Sequence, residues 1–381
     1  MAYVAVKGGE QAIENAIELL KLSRSEGDSS LETDVITARM KLLIDRVMCE
    51  AGFYAPDYAA IALKQSEGSL EEAVFLMRAY RSTLSRTHTS VTLDCRYMRL
   101  IRRISSAFKD IPFGQILGPT YDYTQRLIDF SLLNETEDEL KAFREAFFSA
   151  AGTDMDTNGS AIGDQGGSNA GEGIMRAERV SHILRKEGII ASREPDDSEP
   201  EDITQTKFMF PASRSAKLQT LFRADTGFAS GVAYAGMRGY GFNAHPTIGE
   251  LRSGYMEIEI AYPLDHDETM VLGEILFTEV EGFFPDAKSS ADEHDELGIA
   301  IGYGLVFGRA ETKAVAMSIL DSALNSPDPA SPPNDEEFVL LHGEALEMYG
   351  FISHLKLPHY VTYQSKLDNI RKTRENKDGK A

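Results

Sequence analysis

Apolar side chains recur at helical spacing through much of residues 1–150 and alternate at strand spacing in parts of the C-terminal half. A short strand-like run, Tyr3 to Val6, precedes a segment with Ile13, Ile17 and Leu20 on one helical face. Asp34 is placed to cap a helix reaching Glu50, with Gly52 just past its end, and Pro56 suits the first turn of the next helix. Ser69 with Glu72, and Thr136 with Glu139, have capping-box spacing. Asp94 is placed to start a helix through Phe108. On it Tyr97, Ile101, Ile104 and Phe108 would form an apolar stripe, with Arg96, Arg99, Arg102 and Arg103 on the opposite side.

The pattern breaks at Ala151 to Gly173, which carries Gly, Ser, Asn, Thr and Asp with almost no bulky apolar residues. Such a stretch buries too little to offset its ordering entropy, and reads as a flexible linker or insertion. Beyond it, Gly254 to Tyr262 alternates with period two, and residues 271–280 and 303–307 are strand-like. Helices are expected at 310–323, 335–349 and 361–374. The expected fold class is therefore α+β: a mainly helical domain with a short N-terminal strand over 1–150, a linker at 151–173, and a mixed α+β domain over 174–381. There is no internal repeat, coiled coil, or dinucleotide or Walker fingerprint.

The chain has 381 residues, 42% of them hydrophobic and 26% charged, which suffices for a sizeable core. No basic segment leads into an apolar run at the N-terminus, and no uncharged span approaches roughly 18 residues, so a soluble cytoplasmic protein is expected. The net charge of −21 argues against non-specific nucleic-acid binding and against anionic membranes. Much of the acid is gathered at 192–202 and 286–296, so cationic islands can persist elsewhere. Cys49 and Cys95 have no metal or redox spacing and read as packing residues of a reducing compartment.

Candidate chemistry is concentrated in a few stretches. His354 and His359 flank Pro358, which lacks an amide hydrogen and pushes Leu357 toward extended backbone, so the pair belongs to a turn. Two imidazoles on a bent chain can share a divalent ion such as zinc, leaving coordination positions open; equally, they read as surface histidines beside a Leu-Pro turn. Arg96 to Lys109 is a basic island free of acid, suited to phosphates, to an acidic partner, or to the chain's own acidic loops. Downstream, 110–124 is a polar loop with two prolines, two glycines and Tyr121, Asp122 and Tyr123. Lys7, Gly8 and Gly9 lie between strand and helix, where free amides can meet an anion or simply make a turn. Arg214, and the stretch Arg238 to Tyr255 with His245, Glu250 and Arg252, combine guanidiniums for phosphate with a carboxylate for a developing cation; a polar hairpin is the plain alternative. Gly302 to Gly308 reads as a buried strand with tight ends.

Taken together, Val6-Lys-Gly-Gly-Glu10, Arg102-Arg-Ile-Ser105, Lys109-Asp-Ile-Pro112, Leu117-Gly-Pro-Thr-Tyr-Asp-Tyr-Thr124, Arg238-Gly-Tyr-Gly241, Arg252-Ser-Gly-Tyr255, Gly302-Tyr-Gly-Leu-Val-Phe-Gly308 and Ser353-His-Leu-Lys-Leu-Pro-His359 resemble the PhnI family, the I subunit of the bacterial carbon-phosphorus lyase core complex. The resemblance runs in order from residue 2 to about 370; Gln205 departs from it, standing where an arginine is expected. It implies a protein of phosphonate degradation that displaces the purine of Mg-ATP at C1′ with methylphosphonate, giving α-D-ribose 1-methylphosphonate 5-triphosphate. It also implies purine nucleosidase activity on ATP or GTP when the chain acts alone. Subunits G, H and L are then needed for phosphonate to replace water. G, H and J are implied as core partners with K and L associated, and two copies of this chain are implied in the core. Zinc at His354 and His359, near the contact with subunit J, is implied as well. The alternative is a structural, metal-bridging scaffold subunit that is inert in isolation. Departure of a purine passes through an oxocarbenium-like state. Local composition, rather than the family, nominates Glu250 as the carboxylate near the sugar and His245 as proton donor to the base. Lys7, Gly8, Gly9, Arg102, Arg103, Lys109, Arg214, Arg238 and Arg252 are the candidate triphosphate contacts.

Overall fold

The computed structural model describes residues 9–27, 29–151, 178–190, 198–239, 246–286, 298–325 and 331–378. The expected strand at Tyr3 to Val6 and the insertion after Ala151 lie outside them. Helices α1 (Gly9–Arg24), α2 (Thr33–Arg39), α3 (Lys41–Ala51), α4 (Pro56–Gln65) and α5 (Leu70–Ser82) come first. Their ends follow the local chemistry: Gly52 closes α3 at φ 61°, Pro56 opens α4, and the Ser69 hydroxyl accepts the Glu72 amide at 3.4 Å. The helix expected from Asp34 to Glu50 is split at Met40, whose φ of −107° and ψ of 40° fall outside the helical region.

The helix expected from Asp94 to Phe108 is instead a 3₁₀ turn, Cys95–Tyr97, followed by strand β1 (Arg99–Ile104). The apolar stripe at helical spacing loses to tertiary pairing, because β-branched Ile101 and Ile104 suit a strand and each buried arginine finds a carboxylate from elsewhere in the chain. Next come α6 (Glu137–Ala151), α7 (Val180–Lys186), α8 (Arg214–Arg223) and α9 (Thr226–Gly239). At the head of α6 the capping box is complete: the Thr136 amide donates to Glu139 at 3.0 Å and the Glu139 amide to the Thr136 hydroxyl at 3.3 Å. Strands β2 (Thr247–Tyr262), β3 (Asp265–Asp286) and β4 (Gly298–Phe307) follow, then α10 (Glu311–Leu324), α11 (Glu336–His342), α12 (Ala345–His354) and α13 (Tyr360–Asp378). The fold is α+β.

The chain divides into two compact units, and neither follows the compositional boundary near residue 150. One comprises Met1–Leu84, Arg223–Phe228 and Glu337–Ala381; the other comprises Ser85–Phe222 and Ala229–Glu336. In the described residues the first unit is helical, with Val47, Met48, Ala59, Leu63, Val74 and Met77 at its centre. A buried polar hub ties its segments together. The Arg78 guanidinium donates to the Glu50 carbonyl at 3.0 Å and the Arg223 carbonyl at 3.1 Å, and the Thr226 hydroxyl donates to the Glu50 carboxylate at 2.7 Å.

The second unit is built on an antiparallel sheet in the order β1-β2-β3-β4. On the outer side of β1, Arg103 and Ile116 exchange backbone hydrogen bonds of 2.7 Å. One face of the sheet receives α10 at very short range, since a Cβ on Gly302 would lie 1.9 Å from the Ser318 carbonyl oxygen and one on Gly304 2.0 Å from that of Ala314. The expected reading of this stretch as a buried strand with tight ends holds, and Gly308 turns at φ 67°. Gly302→Ala must push α10 off the sheet and is expected to cost about 3 kcal/mol in chemical denaturation. Gly231→Ala, in α9 with nothing within 4 Å, is expected to be neutral or to stabilise by up to about 1 kcal/mol. Equal midpoints for the two variants would refute the tight seam.

Strand alternation turns Phe277, Glu279, Glu281 and Phe283 to the face away from α10. That face carries two apolar clusters. Met98, Met256 and Phe277 form one, and Ile111, Val180, Leu184, Ile190 and Phe283 form the other. Glu279 and Glu281 fall between Phe277 and Phe283, so charge lies between apolar ends.

Candidate functional site

The histidine pair sits where the sequence places it, at a break between two helices. α12 ends at His354 and α13 begins at Tyr360, and no helix bridges Pro358. The imidazole centres are 5.2 Å apart with ring planes at 62°. Each Nδ1 lies against a backbone carbonyl: that of His354 against Phe351, and that of His359 against Leu357 at 2.6 Å. A carbonyl oxygen only accepts, so Nδ1 of each ring carries the proton and the lone pair is on Nε2. This is the arrangement that presents a histidine to a metal. Two imidazoles on one tetrahedral ion, with metal–nitrogen bonds of about 2.0–2.1 Å, would have ring centres about 5 Å apart, so the donor set fits zinc. Among the described residues no group of three or more His, Cys, Asp or Glu side chains could hold a metal ion, so this part of the chain offers two ligands. Phe351, Ile352, Leu355, Leu357, Val361 and Tyr363 are all exposed around the turn.

The basic island is not a solvent-facing array. Arg102 and Arg103 are both buried and, as neighbours on a strand, point to opposite faces. Arg102 pairs with Glu311 at 2.8 Å, and also with Asp122 and the Leu117 carbonyl. Arg103 donates to Glu250 at 2.6 Å, to the Glu178 carbonyl at 2.8 Å and to the Pro112 carbonyl. The second Glu250 oxygen accepts the Val180 amide at 3.0 Å. With both oxygens engaged and the residue 2% exposed, Glu250 ties β1 to the head of α7 and does not face solvent.

Beside this pair, Arg252 donates to Glu279 at 2.5 Å and Arg179 reaches Glu279 and Glu281 at 2.8 Å each. The Tyr303 hydroxyl donates to Glu279 at 2.9 Å. Burial pushes the Glu279 carboxyl upward, but the guanidiniums of Arg252 and Arg179 outweigh it and the net displacement is downward. Burial and the neighbouring Glu279 hold the Tyr303 phenol well above its usual value. Cys95 lies against the same carboxylate, and its thiol is pushed up to about 12, first by burial. It is a packing residue, as expected, and Cys49 is fully buried.

Of the other predicted contacts, Lys7, Gly8 and His245 lie outside the described residues. Gly9 opens α1 and Lys109 is exposed in a turn. Arg214 is partly exposed and pairs with Asp321 at 2.9 Å, and the exposed Arg238 sits 5.8 Å from the Tyr234 ring centre. The fold thus gathers Arg103, Glu250 and Arg252 into one layer and leaves Lys109, Arg214 and Arg238 at the surface. Arg179, Glu279, Glu281 and Tyr303 complete the layer and were not among the candidates. Their one sequence signal was the alternation of Glu279 and Glu281 with Thr278, Val280 and Gly282, which read equally well with the acids outward.

A family model described as bacterial phosphonate metabolism protein (PhnI) matches residues 2–377. The chain is 42% identical to the alpha-D-ribose 1-methylphosphonate 5-triphosphate synthase subunit PhnI of Escherichia coli (strain K12), over 98% of each chain. It is 41% identical to the putative C-P lyase subunit protein HtxH of Stutzerimonas stutzeri, over 98% of this chain and 96% of that one. Identity to the synthase subunit PhnI of Rhizobium meliloti (strain 1021) is 39%, over 99% and 96%. The chain belongs to the PhnI family of bacterial phosphonate metabolism proteins. No helix among its described residues is long and apolar enough to cross a membrane.

Proposed function

We propose that the chain acts in phosphonate metabolism as a subunit of a carbon-phosphorus lyase system. In this reading it displaces the purine of ATP at C1′ with methylphosphonate to give α-D-ribose 1-methylphosphonate 5-triphosphate, and acts alone as a purine nucleosidase on ATP or GTP. The support is full-length membership of the PhnI family together with two relatives whose names specify that synthase. Loss of a purine builds positive charge on the sugar and negative charge on the base, so the reaction needs a carboxylate on one side and a proton donor on the other. The surface arginines Arg214 and Arg238 with Lys109 are available for the triphosphate, and His245 is retained as the proton donor. Arg102, Arg103 and Arg252 are committed to internal carboxylates and serve by holding the sheet.

His354 and His359 would hold zinc through their Nε2 atoms, and a bound zinc supplies Lewis acidity or a structural cross-link. The exposed apolar side chains around this turn favour a second, compatible reading, in which the metal is completed by a partner subunit and the pair serves assembly. Subunits G, H and J are the proposed core partners, with K and L associated and two copies of this chain in the assembly. The test is chromatographic detection of free base from ATP or GTP, using purified chain with and without subunits G, H and L. Adenine release by the chain alone is the expected result. No purine release in either condition would refute the enzyme reading, and release only in the assembly would make the scaffold role primary.

A further inference from the structure

The charged layer of the second unit is closed at one end and open at the other. Arg103 and Arg252 are almost wholly buried, with side chains 1% and 3% exposed, whereas that of Arg179 is 22% exposed. Arg179 is the residue that holds Glu281. Its Nη1 donates to one Glu281 oxygen at 2.8 Å, while the other oxygen is buried and has no hydrogen-bond partner among the described residues. Glu281 is 5% exposed, so bulk solvent does not serve that oxygen. A buried carboxylate oxygen without a donor is costly, and such atoms concentrate where a ligand completes them. Glu250, the cross-strand neighbour of Glu281, has both oxygens engaged and cannot take this role.

The surroundings define what would bind. The guanidiniums of Arg103, Arg179 and Arg252 face the carboxylates of Glu250, Glu279 and Glu281, so the layer is already electrically balanced. A cation added there would leave an uncompensated buried charge, and an anion would meet three carboxylates. An ionised carboxylate oxygen only accepts hydrogen bonds, so the fitting group is a neutral donor, of which an alcohol is the simplest.

We propose that the free oxygen of Glu281 accepts a hydrogen bond from a sugar hydroxyl of the nucleotide, with Arg179 holding the carboxylate in place. The inference rests on the nucleotide reading above and assigns to Glu281 the carboxylate role that Glu250 was expected to fill. The experiment is equilibrium binding of ATP and of 2′,3′-dideoxy-ATP to the full chain, with the companion subunits present where turnover needs them. Binding is read instead of turnover because removing the hydroxyls also changes the lability of the glycosidic bond. Wild-type protein is expected to prefer ATP by ~10-fold or more, the range for a hydrogen bond to a charged group. Glu281→Gln, which places an amide donor where the acceptor stood, is expected to bring that preference within about twofold while ATP still binds. Equal affinity of wild-type protein for the two nucleotides would overturn the assignment without reference to any variant, as would a folded Glu281→Gln protein that keeps the full preference. Failure of the underlying reading looks different: wild-type protein then neither binds ATP nor releases purine, and the Glu281 assignment falls with it.

Discussion

Replacing Arg103 with methionine is expected to destabilise the protein by about 3–5 kcal/mol. The guanidinium is 1% exposed and donates to Glu250, itself 2% exposed, and to the carbonyls of Pro112 and Glu178. Methionine fills much of the same volume but leaves the Glu250 carboxylate without its counter-charge. The cost therefore arises mainly from the charge left behind, not from lost packing. Urea denaturation followed by circular dichroism measures it, and the double variant Arg103→Met, Glu250→Gln separates the two contributions. The double variant should recover part of the loss, because the amide still accepts from Val180 and no ion is stranded. An unchanged midpoint in the single variant would show that the pair is dispensable to this face.

The second large effect concerns metal content. Purified wild-type protein is expected to carry zinc, and the double variant His354→Ala, His359→Ala to carry none by elemental analysis. The variant should keep its melting temperature within about 1 °C, because substitutions at a surface turn away from the core are usually close to neutral. Each Nδ1 bond ends on a carbonyl within the same turn, so no distant segment loses a partner. Unchanged zinc in the variant would remove the pair from the metal site, and wild-type protein that binds no zinc at all would do the same.

Local chemistry made the helix ends readable: Gly52, Pro56, Thr136 with Glu139, and Pro358 each act within a few residues of their own position. The histidine turn was legible for the same reason, since a proline between the rings fixes the break in the helix. β1 was not, because Tyr97, Ile101, Ile104 and Phe108 satisfy a helical period while the force that makes a strand of 99–104 is pairing with β2. Arg103 and Glu250 are separated by 147 positions, and no local pattern couples them. The same non-locality hid the division into units, in which 337–381 belongs with 1–84 across more than half of the chain. Arg179 shows the limit most clearly: nothing near it in sequence announces that two carboxylates of β3 converge on its guanidinium.

The backbone bonds between Arg103 and Ile116 bear on how this protein survives crowding by its own unfolded relatives. A sheet whose outermost strand shows unanswered amides invites a foreign polypeptide to zip onto it, which is how many mixed sheets begin to aggregate. Here the margin at Arg103 is answered by the chain itself, in both directions, at 2.7 Å. An invading strand would first have to peel away the 110–116 loop, so that border of the sheet is guarded during synthesis and assembly by a segment a dozen residues downstream of it.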